Sequence, residues 1–361
     1  MQSSKPIAIR GRGAAENPPN RFEKLAYLPD PDLMDPYDES EPAIKTQFLK
    51  DSSRSIIAYN DSPDVGFDAS VNPYRGCEHG CIYCYARPTH EFLGFSAGLD
   101  FETKILVKED APELLRKELA SPKWKPQVVA MSGVTDPYQP VERRLQLTRR
   151  CLKVFAEFRN PVAIVTKNHL VTRDADILSQ LAKHNAAGVC VSVTTLDAEL
   201  ARVMEPRTSK PADRLEAIEM LTTAGVPTGV MVGPVIPGLT DHEIMSIISA
   251  AADAGARFAG YVVMRLPYAV KDLFVTWLEE HYPARKKKVL SHVQDIRGGK
   301  LNDPRFKSRM RGEGIFAEQI RSMFTLACRK SGIEGRSPGL SSAAFRRPPD
   351  AASPQLSLFD E

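Results

Sequence analysis

The chain of 361 residues contains no apolar run that approaches the roughly 20 residues needed to span a bilayer. We therefore expect no membrane among its partners. Its first twelve residues carry no apolar segment followed by a cleavage-like site, which is the pattern of a secretory signal. We expect a cytoplasmic protein.

Net charge is also small, at +3. Proteins that bind nucleic acid through their overall charge are often far more basic. Two local basic patches nevertheless occur, one at residues 285–288 and one between Arg305 and Arg311. These patches are typical either of solvated helix faces or of contacts with an anionic partner.

Cysteine is scarce, with six in the whole chain. A secreted disulfide framework has a denser set of cysteines in a shorter chain, so the sequence does not fit that class. Three of the six, Cys77, Cys81 and Cys84, fall within eight residues, and the other three are scattered. In a reducing compartment, such a cluster indicates metal binding or redox chemistry.

Residues at both ends of the chain break any regular pattern. Residues 1–55 contain Gly11-Arg12-Gly13 and Pro29-Asp30-Pro31, and we predict a flexible N-terminal extension there. Residues 332–361 are rich in Ser, Pro, Arg and Ala, which predicts a flexible tail. Between the ends we expect one α/β domain at 56–280, followed by a helical C-terminal region at 281–331.

Short β-branched runs alternate with helical patterns in the α/β domain, at a spacing of about 30 residues. The runs lie at 128–131, 162–165, 189–193, 229–232 and 261–264. Apolar residues recur with helical spacing at 111–119, 143–158, 174–184, 211–224 and 241–254. With a first strand leading into Cys77, this pattern predicts six parallel strands in a partial (β/α)6 barrel. Ligands of such folds bind at the carboxyl ends of the strands.

The most informative segment runs from Asn72 to Arg87 and contains the spacing C-x3-C-x2-C. Three thiolates on one short loop can surround an iron–sulfur cluster, because soft sulfur ligands suit iron. A [4Fe–4S] cluster normally takes four ligands, so three cysteines leave one iron open. Gly76 and Gly80 allow the backbone to bend closely around the cluster.

This motif, with Tyr83 directly before the third cysteine, resembles the signature of the radical S-adenosylmethionine (SAM) superfamily. The resemblance implies that Cys77, Cys81 and Cys84 ligate the cluster, that Tyr83 packs beside it, and that SAM chelates the open iron. It further implies that one electron from an electron donor cleaves SAM to a 5′-deoxyadenosyl radical, which abstracts hydrogen from a substrate.

A structural zinc site with His79 or His90 as fourth ligand is one alternative. A zinc ribbon usually brings a second C-x2-C pair, and the sequence has none. Inert buried thiols are another alternative. The spacing favours the iron–sulfur cluster over both.

Polar side chains follow the later predicted strands, in 132–142, at Thr166-Lys167 and in 192–195. A carboxylate, an ammonium and hydroxyls at one edge suit a zwitterionic amino acid and a ribose. Any one of these side chains alone is typical of a cap or turn, so their shared location is the stronger signal.

Within the superfamily, about residues 70–280 are similar to spore photoproduct lyase and its uncharacterised relatives. The resemblance implies that Thr135, Asp136, Lys167 and Ser192 bind SAM. The Asn72–Cys77 lead-in belongs to the uncharacterised relatives, and no cysteine clearly matches the hydrogen-donor thiol of the lyase. The sequence departs at these points from an enzyme of thymine-dimer repair.

The chain ends in a second motif, Gln355-Leu356-Ser357-Leu358-Phe359. It resembles the pentapeptide by which bacterial repair and replication proteins bind the DNA polymerase sliding clamp. Apolar anchors flanked by a glutamine suit an apolar pocket on a partner. The alternative is a chain end that docks back on the domain.

We therefore interpret the chain as a lyase-like radical SAM enzyme that acts on DNA or another nucleic acid, as in lesion repair. Arg207 and Arg265 are further candidates for contacts with substrate or with the carboxylate of SAM, or else exposed ion pairs. Two other hypotheses remain: a radical SAM enzyme that modifies a peptide or small metabolite, and a non-enzymatic, metal-binding adaptor of the clamp.

Overall fold

The computed structural model describes residues 9–23, 44–334 and 339–348. The strands in these residues are β1 (Gln47–Lys50), β2 (Ile57–Tyr59), β3 (Ala69–Val71), β4 (Tyr74–Arg75), β5 (Lys104–Val107), β6 (Val129–Met131), β7 (Val162–Thr166), β8 (Ala187–Val193), β9 (Thr228–Val235) and β10 (Phe258–Val263). The α-helices are α1 (Leu99–Thr103), α2 (Ala111–Ala120), α3 (Glu142–Leu145), α4 (Leu147–Phe158), α5 (Ala175–Ala182), α6 (Ala198–Met204), α7 (Pro211–Thr223), α8 (Ile244–Asp253), α9 (Ala269–His281), α10 (Pro283–Asp295), α11 (Ser308–Arg311) and α12 (Ile315–Ser331). Short 3-10 helices cover Arg87–Leu93, His169–Asp174 and Asp241–Glu243.

A parallel sheet forms the centre of the fold, with strand order β10-β9-β8-β7-β6-β3-β2. Strands β3 and β6 to β10 run parallel to their neighbours, and β2 pairs antiparallel with β3. Counting β3 as the strand that leads into Cys77, the six predicted parallel strands are confirmed, and so is the α/β class. Among the described residues, no helix is long and apolar enough to cross a membrane.

The sheet forms because its central strands are mostly apolar. Every residue of β8 is buried or half-buried, as expected for a strand covered on both faces. Val189 of β8 shares the main core with Phe155 of α4 and Ile247 of α8. Burial of each such side chain contributes about 1.5–3 kcal/mol to stability.

The predicted helix at 143–158 is divided in two at Gln146, which has a left-handed backbone (φ 51°). The buried Glu142 carboxylate accepts a hydrogen bond from the N–H of Thr148 at 3.0 Å. An acceptor at the start of α4 satisfies a helix N–H that has no intrahelical partner. The break therefore allows a new helix start inside one amphipathic pattern.

Parts of the predicted flexible N-terminal extension contact the domain. Strand β1 belongs to a second sheet of order β1-β5-β4 and pairs parallel with β5. The N–H groups of Gly13 and Ala14 donate to the Glu102 carboxylate at 3.0 and 2.9 Å. These segments differ from the prediction because their backbone groups find partners in the domain, although their side chains lack an apolar pattern.

The helical C-terminal region shares the main core, since Ile320 and Phe324 of α12 pack in it. Residues 339–348, the C-terminal strap, then pass along the amino ends of the strands. The N–H of Ser341 donates to the carbonyl of Asn185, just before β8, at 2.9 Å. The N–H of Arg346 donates to the carbonyl of Phe158, before β7, also at 2.9 Å. The predicted clamp motif at 355–359 lies outside the described residues.

Candidate active site

The three clustered cysteines lie on the loop that follows β3 and β4, at the carboxyl edge of the large sheet. Local hydrogen bonds fold this loop: the N–H of Gly80 donates to the carbonyl of Cys77, and that of Cys84 to the carbonyl of Cys81. All three cysteines are free thiols. Cys77 and Cys84 also share a small apolar contact cluster with Phe101 of α1.

The thiols lie close enough to influence one another electrostatically. Burial is the largest cause that raises the pKa of the Cys77 thiol, and the charges of Asp136, Cys81 and Cys84 raise it further. Burial also raises the pKa of Cys81, with added contributions from Glu205 and Cys84. Three converging thiols of this kind are stabilised as thiolates only when a metal binds and displaces their protons.

The donor set, three free thiols on one loop, is the kind that an iron–sulfur cluster takes. Within the described ranges, no group of three His, Cys, Asp or Glu side chains is placed to hold one ion. The two histidines of the zinc alternative have other partners. His79 lies 3.1 Å from the Asn168 amide and 3.4 Å from Asp136, and His90 lies 2.9 Å from the carbonyl of Lys104. Burial lowers the pKa of His90 to about 4.

A buried arginine holds the cysteine loop in shape. The Arg87 guanidinium donates to the carbonyls of Cys81 and Gly80 at 3.0 and 3.1 Å, and it pairs with the buried Glu102. Glu102 in turn binds the N-terminal segment. That segment approaches so closely that a Cβ on Gly13 would lie 1.7 Å from the carbonyl oxygen of Gly80. The loop is thus fixed from two sides.

Asp136, on the loop after β6, connects the cysteine loop to the next strand. Its carboxylate accepts hydrogen bonds from the Thr166 hydroxyl at 2.7 Å and the Lys167 N–H at 2.8 Å. Its backbone N–H acts to lower the pKa of the nearby Cys77 thiol, although burial and negative charges raise that pKa more strongly. Burial alone raises the pKa of Asp136, but His79 and these hydrogen bonds outweigh burial and lower it. Asp136 is therefore a half-buried anion beside the cysteines.

Lys167 enters a second cluster, which lies under the cysteine loop. Its ammonium donates to the Thr194 hydroxyl at 2.9 Å and the Gly233 carbonyl at 2.8 Å, and it lies 3.2 Å from the Glu205 carboxylate. Glu205 also binds the hydroxyl of Tyr83 and the guanidinium of Arg214. Burial raises the pKa of Glu205, but Arg214 and Lys167 outweigh burial and lower it well below its ordinary value.

The remaining predicted SAM residues lie on the same edge but make different contacts. Thr135 is buried, and its hydroxyl lies 3.3 Å from the side-chain oxygen of Asn72. Ser192 is buried near the end of β8, where its carbonyl accepts a hydrogen bond from Arg214 at 3.1 Å. The structure thus places Asp136 and Lys167 next to the cysteine loop, which itself contains Tyr83.

The two arginine candidates have different environments. Arg207 forms an ion pair with Glu78 at 3.2 Å. Because Glu78 is the residue directly after Cys77, this ion pair contacts the cysteine loop. Arg265 follows β10, and its guanidinium lies over the ring of Tyr85 at 5.2 Å. Within the described part of the chain, the buried Nε of Arg265 has no hydrogen-bond partner.

Sequence reasoning missed Glu205 and Arg214, which form the centre of the second cluster. Glu205 directly precedes Pro206-Arg207, where the sequence predicted a role for Arg207 alone. The sequence did contain a signal for this pair. Glu205 lies shortly before the predicted helix that follows the fourth predicted strand, and Arg214 lies in the first turn of that helix. Only the fold shows that Glu205, paired with Arg214, reaches Tyr83, more than a hundred residues earlier in the chain.

The family model of the radical SAM superfamily matches residues 71–251 of this chain. An uncharacterised protein of Mycobacterium tuberculosis is 36% identical over 260 residues, which cover 70% of this chain and 75% of that protein. Spore photoproduct lyase of Clostridium acetobutylicum is 28% identical over 166 residues, or 44% of each chain.

Among solved structures, the fold is similar to that of spore photoproduct lyase complexed with dinucleoside spore photoproduct. The TM-score is 0.54 at 15% sequence identity, and the match covers 78% of this chain and 79% of that chain. The likeness confirms the fold expected from the sequence.

Proposed function

Because the chain belongs to the radical SAM superfamily, we propose that it is a cytoplasmic radical enzyme whose substrate is a nucleic acid. The superfamily uses a [4Fe–4S] cluster and SAM, so the predicted enzyme class and cofactors are confirmed at this level. The observation that carries the proposal is the convergence of three thiols with Asp136 and Lys167 at one edge of the sheet.

Each group in the site has a role in the proposal. Cys77, Cys81 and Cys84 hold the cluster. Thr135, Asp136, Lys167 and Ser192 line the edge on which SAM binds. When bound and reduced by an external electron donor, the cluster and SAM supply a 5′-deoxyadenosyl radical for hydrogen abstraction.

The protein itself supplies a dry and pre-arranged environment. Tyr83, Thr194 and Glu205 are buried beneath the cysteine loop, so water has little access from the interior side. Exclusion of water protects a reactive intermediate from side reactions. The charges of Asp136 and Lys167 are largely removed from water and held by hydrogen bonds, so they need little reorganisation when a zwitterionic ligand arrives.

The nucleic-acid substrate is supported by the sequence likeness to spore photoproduct lyase, a protein whose solved complex holds a dinucleoside photoproduct. We propose a lyase-like or related radical reaction on a damaged or modified nucleotide, in DNA repair or a similar process.

Anaerobic reconstitution with iron and sulfide, followed by reduction in the presence of SAM, tests the radical chemistry. We expect visible iron–sulfur absorbance and 5′-deoxyadenosine from the full chain, and neither from Cys81→Ala. Cys328→Ala is the matched control, because Cys328 is buried in α12, in the main core away from the cluster loop. Undiminished 5′-deoxyadenosine formation by Cys81→Ala would contradict the assignment.

The substrate class is tested by titrating the reconstituted chain with labelled oligonucleotides at several salt concentrations. Binding that weakens as salt rises supports a nucleic acid, because counterions are released from phosphates. SAM cleavage without any oligonucleotide binding supports modification of a peptide or small metabolite instead. Bound zinc and no 5′-deoxyadenosine support the adaptor hypothesis.

We propose sliding-clamp binding by residues Gln355 to Phe359 as a separate property of the chain. Its support is the sequence of the motif. A chain shortened to end at Pro348 should lose binding to a bacterial sliding clamp and keep SAM cleavage.

A further inference from the structure

Arg265, which lies over the Tyr85 ring beside the cysteine loop, has no ion-pair partner in the part of the chain that the structure describes. Arg265 is the second residue after β10, at the carboxyl edge of the sheet. Its Nε is buried without a hydrogen-bond partner, and one terminal nitrogen contacts only the sulfur of Met310, at 3.8 Å. No carboxylate in the described residues forms an ion pair with it. A half-buried cation with a buried, unpartnered nitrogen carries a desolvation cost, so such a group points to a missing anionic partner.

The nearby charges do not neutralise Arg265. Burial lowers its pKa, and the positive charge of Arg309 lowers it further. Asp64 also reaches it electrostatically, but Asp64 is already bound to the guanidinium of Arg309 and to the N–H of Lys307. Tyr85 offers only its ring face.

The buried Arg297 holds the two segments that carry Arg265 and Arg309. The buried Arg297 donates to the carbonyl of Met264 at 2.7 Å, just before Arg265, and to the carbonyl of Ser308 at 2.8 Å, just before Arg309. Arg265 and Arg309 are therefore positioned by the same buried residue, and Asp64 pairs with Arg309 but not with Arg265. A cation held in place without a counter-charge is typical of a binding site for an anion.

Two exposed aromatic rings contact these arginines, and a third, Tyr268, lies three residues after Arg265 in the chain. Tyr85, Tyr268 and Phe306 expose 49%, 62% and 52% of their surface. Arg309 lies over Phe306 at 4.4 Å, and Arg21 lies over Tyr268 at 3.6 Å. We call Arg265, Arg309, Tyr85, Tyr268 and Phe306 the arginine–aromatic rim.

Tyr268 has an additional feature. Its backbone has φ 50° and ψ −126°, a region that is strained for any residue with a side chain. Strained backbone persists where the surrounding structure or a function requires it. Here the strained residue presents a large apolar ring to solvent, which contributes little to stability.

We propose that the arginine–aromatic rim binds an unstacked, single-stranded segment of nucleic acid, with Arg265 on a phosphate and the Tyr268 ring against a base. Alternation of cations with exposed rings is the pattern by which proteins hold single strands, because phosphates need charge and every base has a stackable face. Tyr85 follows Cys84 directly, so a strand on the rim passes beside the cysteine loop. The inference rests on the proposed function and adds to it the surface that holds the substrate.

The test uses the full chain, reconstituted anaerobically, and a fluorescein-labelled single-stranded oligodeoxynucleotide of about 15 nucleotides, near the upper site size of single-strand modules. Fluorescence anisotropy gives the affinity at several salt concentrations. For Arg265→Gln we expect affinity to fall about tenfold and the log–log salt slope to shrink by about 0.7, the value for one lost phosphate contact.

The matched control is Arg257→Gln. Arg257 is an exposed arginine just before the amino end of β10, so the same charge is removed from the opposite edge of the sheet. Affinity and slope should stay as in the unchanged chain. Arg265→Lys keeps the charge and should keep the slope, which separates the electrostatic effect from any loss of folding.

Tyr268→Gly separates stacking from stability. Glycine adopts positive φ freely, so the variant should melt no lower than the unchanged chain. Its affinity should nevertheless fall by about tenfold with an unchanged salt slope, as expected for a lost stacking platform. A purely structural Tyr268 would give the opposite pattern, lower stability with unchanged affinity.

The outcomes distinguish the proposed nucleic-acid substrate from the proposed role of the arginine–aromatic rim. If the unchanged chain does not bind the oligonucleotide even at low salt, the nucleic-acid substrate is refuted and the rim proposal with it. If the unchanged chain binds with a salt-dependent affinity that Arg265→Gln and Tyr268→Gly do not alter, the rim proposal alone is refuted.

Discussion

Replacement of Glu205 by glutamine removes the only carboxylate in the described residues that pairs with the buried Arg214. The Glu205 and Arg214 side chains are 0% and 1% exposed, and Lys167, its other cationic partner, is 14% exposed. The variant thus leaves two cations in a dry environment without a counter-charge. Loss of one partner of a buried ion pair typically costs about 3–5 kcal/mol. Because glutamine still accepts a hydrogen bond, we expect about 3 kcal/mol for Glu205→Gln.

This free energy converts to a shift in melting temperature. An unfolding entropy of about 2.1 cal/mol/K per residue gives roughly 0.76 kcal/mol/K for 361 residues. A loss of about 3 kcal/mol then lowers the melting temperature by about 4 °C. The assay is thermal unfolding followed by circular dichroism, with the protein kept anaerobic.

Glu199→Gln is the matched control. Glu199 is 78% exposed and pairs with Arg202 at 2.9 Å on the surface of α6. An exposed pair of this kind contributes less than about 1 kcal/mol, so the control should melt within about 1 °C of the unchanged chain. Equal melting temperatures for Glu205→Gln and Glu199→Gln would refute the electrostatic account of the cluster.

The pH dependence gives a second check. The pKa of Glu205 is lowered in the folded chain from its ordinary value of 4.5. Its stabilising contribution is therefore complete above about pH 4.5 and is lost as the pH falls toward the folded pKa. The difference between the unchanged chain and Glu205→Gln should be constant near neutral pH and shrink below about pH 4.5.

Two further predictions concern the ends of the chain. Gly13→Ala places a Cβ 1.7 Å from the Gly80 carbonyl oxygen, so the N-terminal segment must move and its hydrogen bond to Glu102 weakens. We expect the free energy of unfolding to fall by about 1.5–3 kcal/mol and the iron content after reconstitution to be lower. Gly66→Ala, whose Cβ meets nothing within 4 Å, is the control, and equal iron content in the two variants would argue against a role for this contact. A chain that ends at Glu334 should be less stable than one that ends at Pro348 by at least about 2 kcal/mol in chemical denaturation, because the former loses the packing of Phe345 on Phe158. Equal denaturation midpoints would show that the strap does not stabilise the fold.

The parts of the fold that the sequence predicts are those with a local signal. Five of the six parallel strands follow from β-branched runs, whose continuous apolar character predicts burial. The cysteine motif is likewise local, since three ligands lie within eight residues. The break at Gln146 was not predicted, because the apolar pattern continues through it.

The rest depends on pairs that are distant in the sequence. Tyr83 and Glu205 meet across more than a hundred residues, and nothing near either residue indicates the partner. The contact of Gly13 with Gly80 uses backbone atoms, which leave no pattern in the side chains. The C-terminal strap is similar, because carbonyls of residues such as Asn185 and Phe158 accept its hydrogen bonds.

The path of the strap has a consequence for how the enzyme meets other molecules. The strap ends near Trp124, where Arg347 donates a hydrogen bond to the Trp124 carbonyl at 3.1 Å. This is the amino edge of the sheet, whereas Cys77 lies at the carboxyl edge. A molecule that bound the strap would therefore contact the protein at the sheet edge opposite the cysteine loop, and the site would stay accessible to substrate.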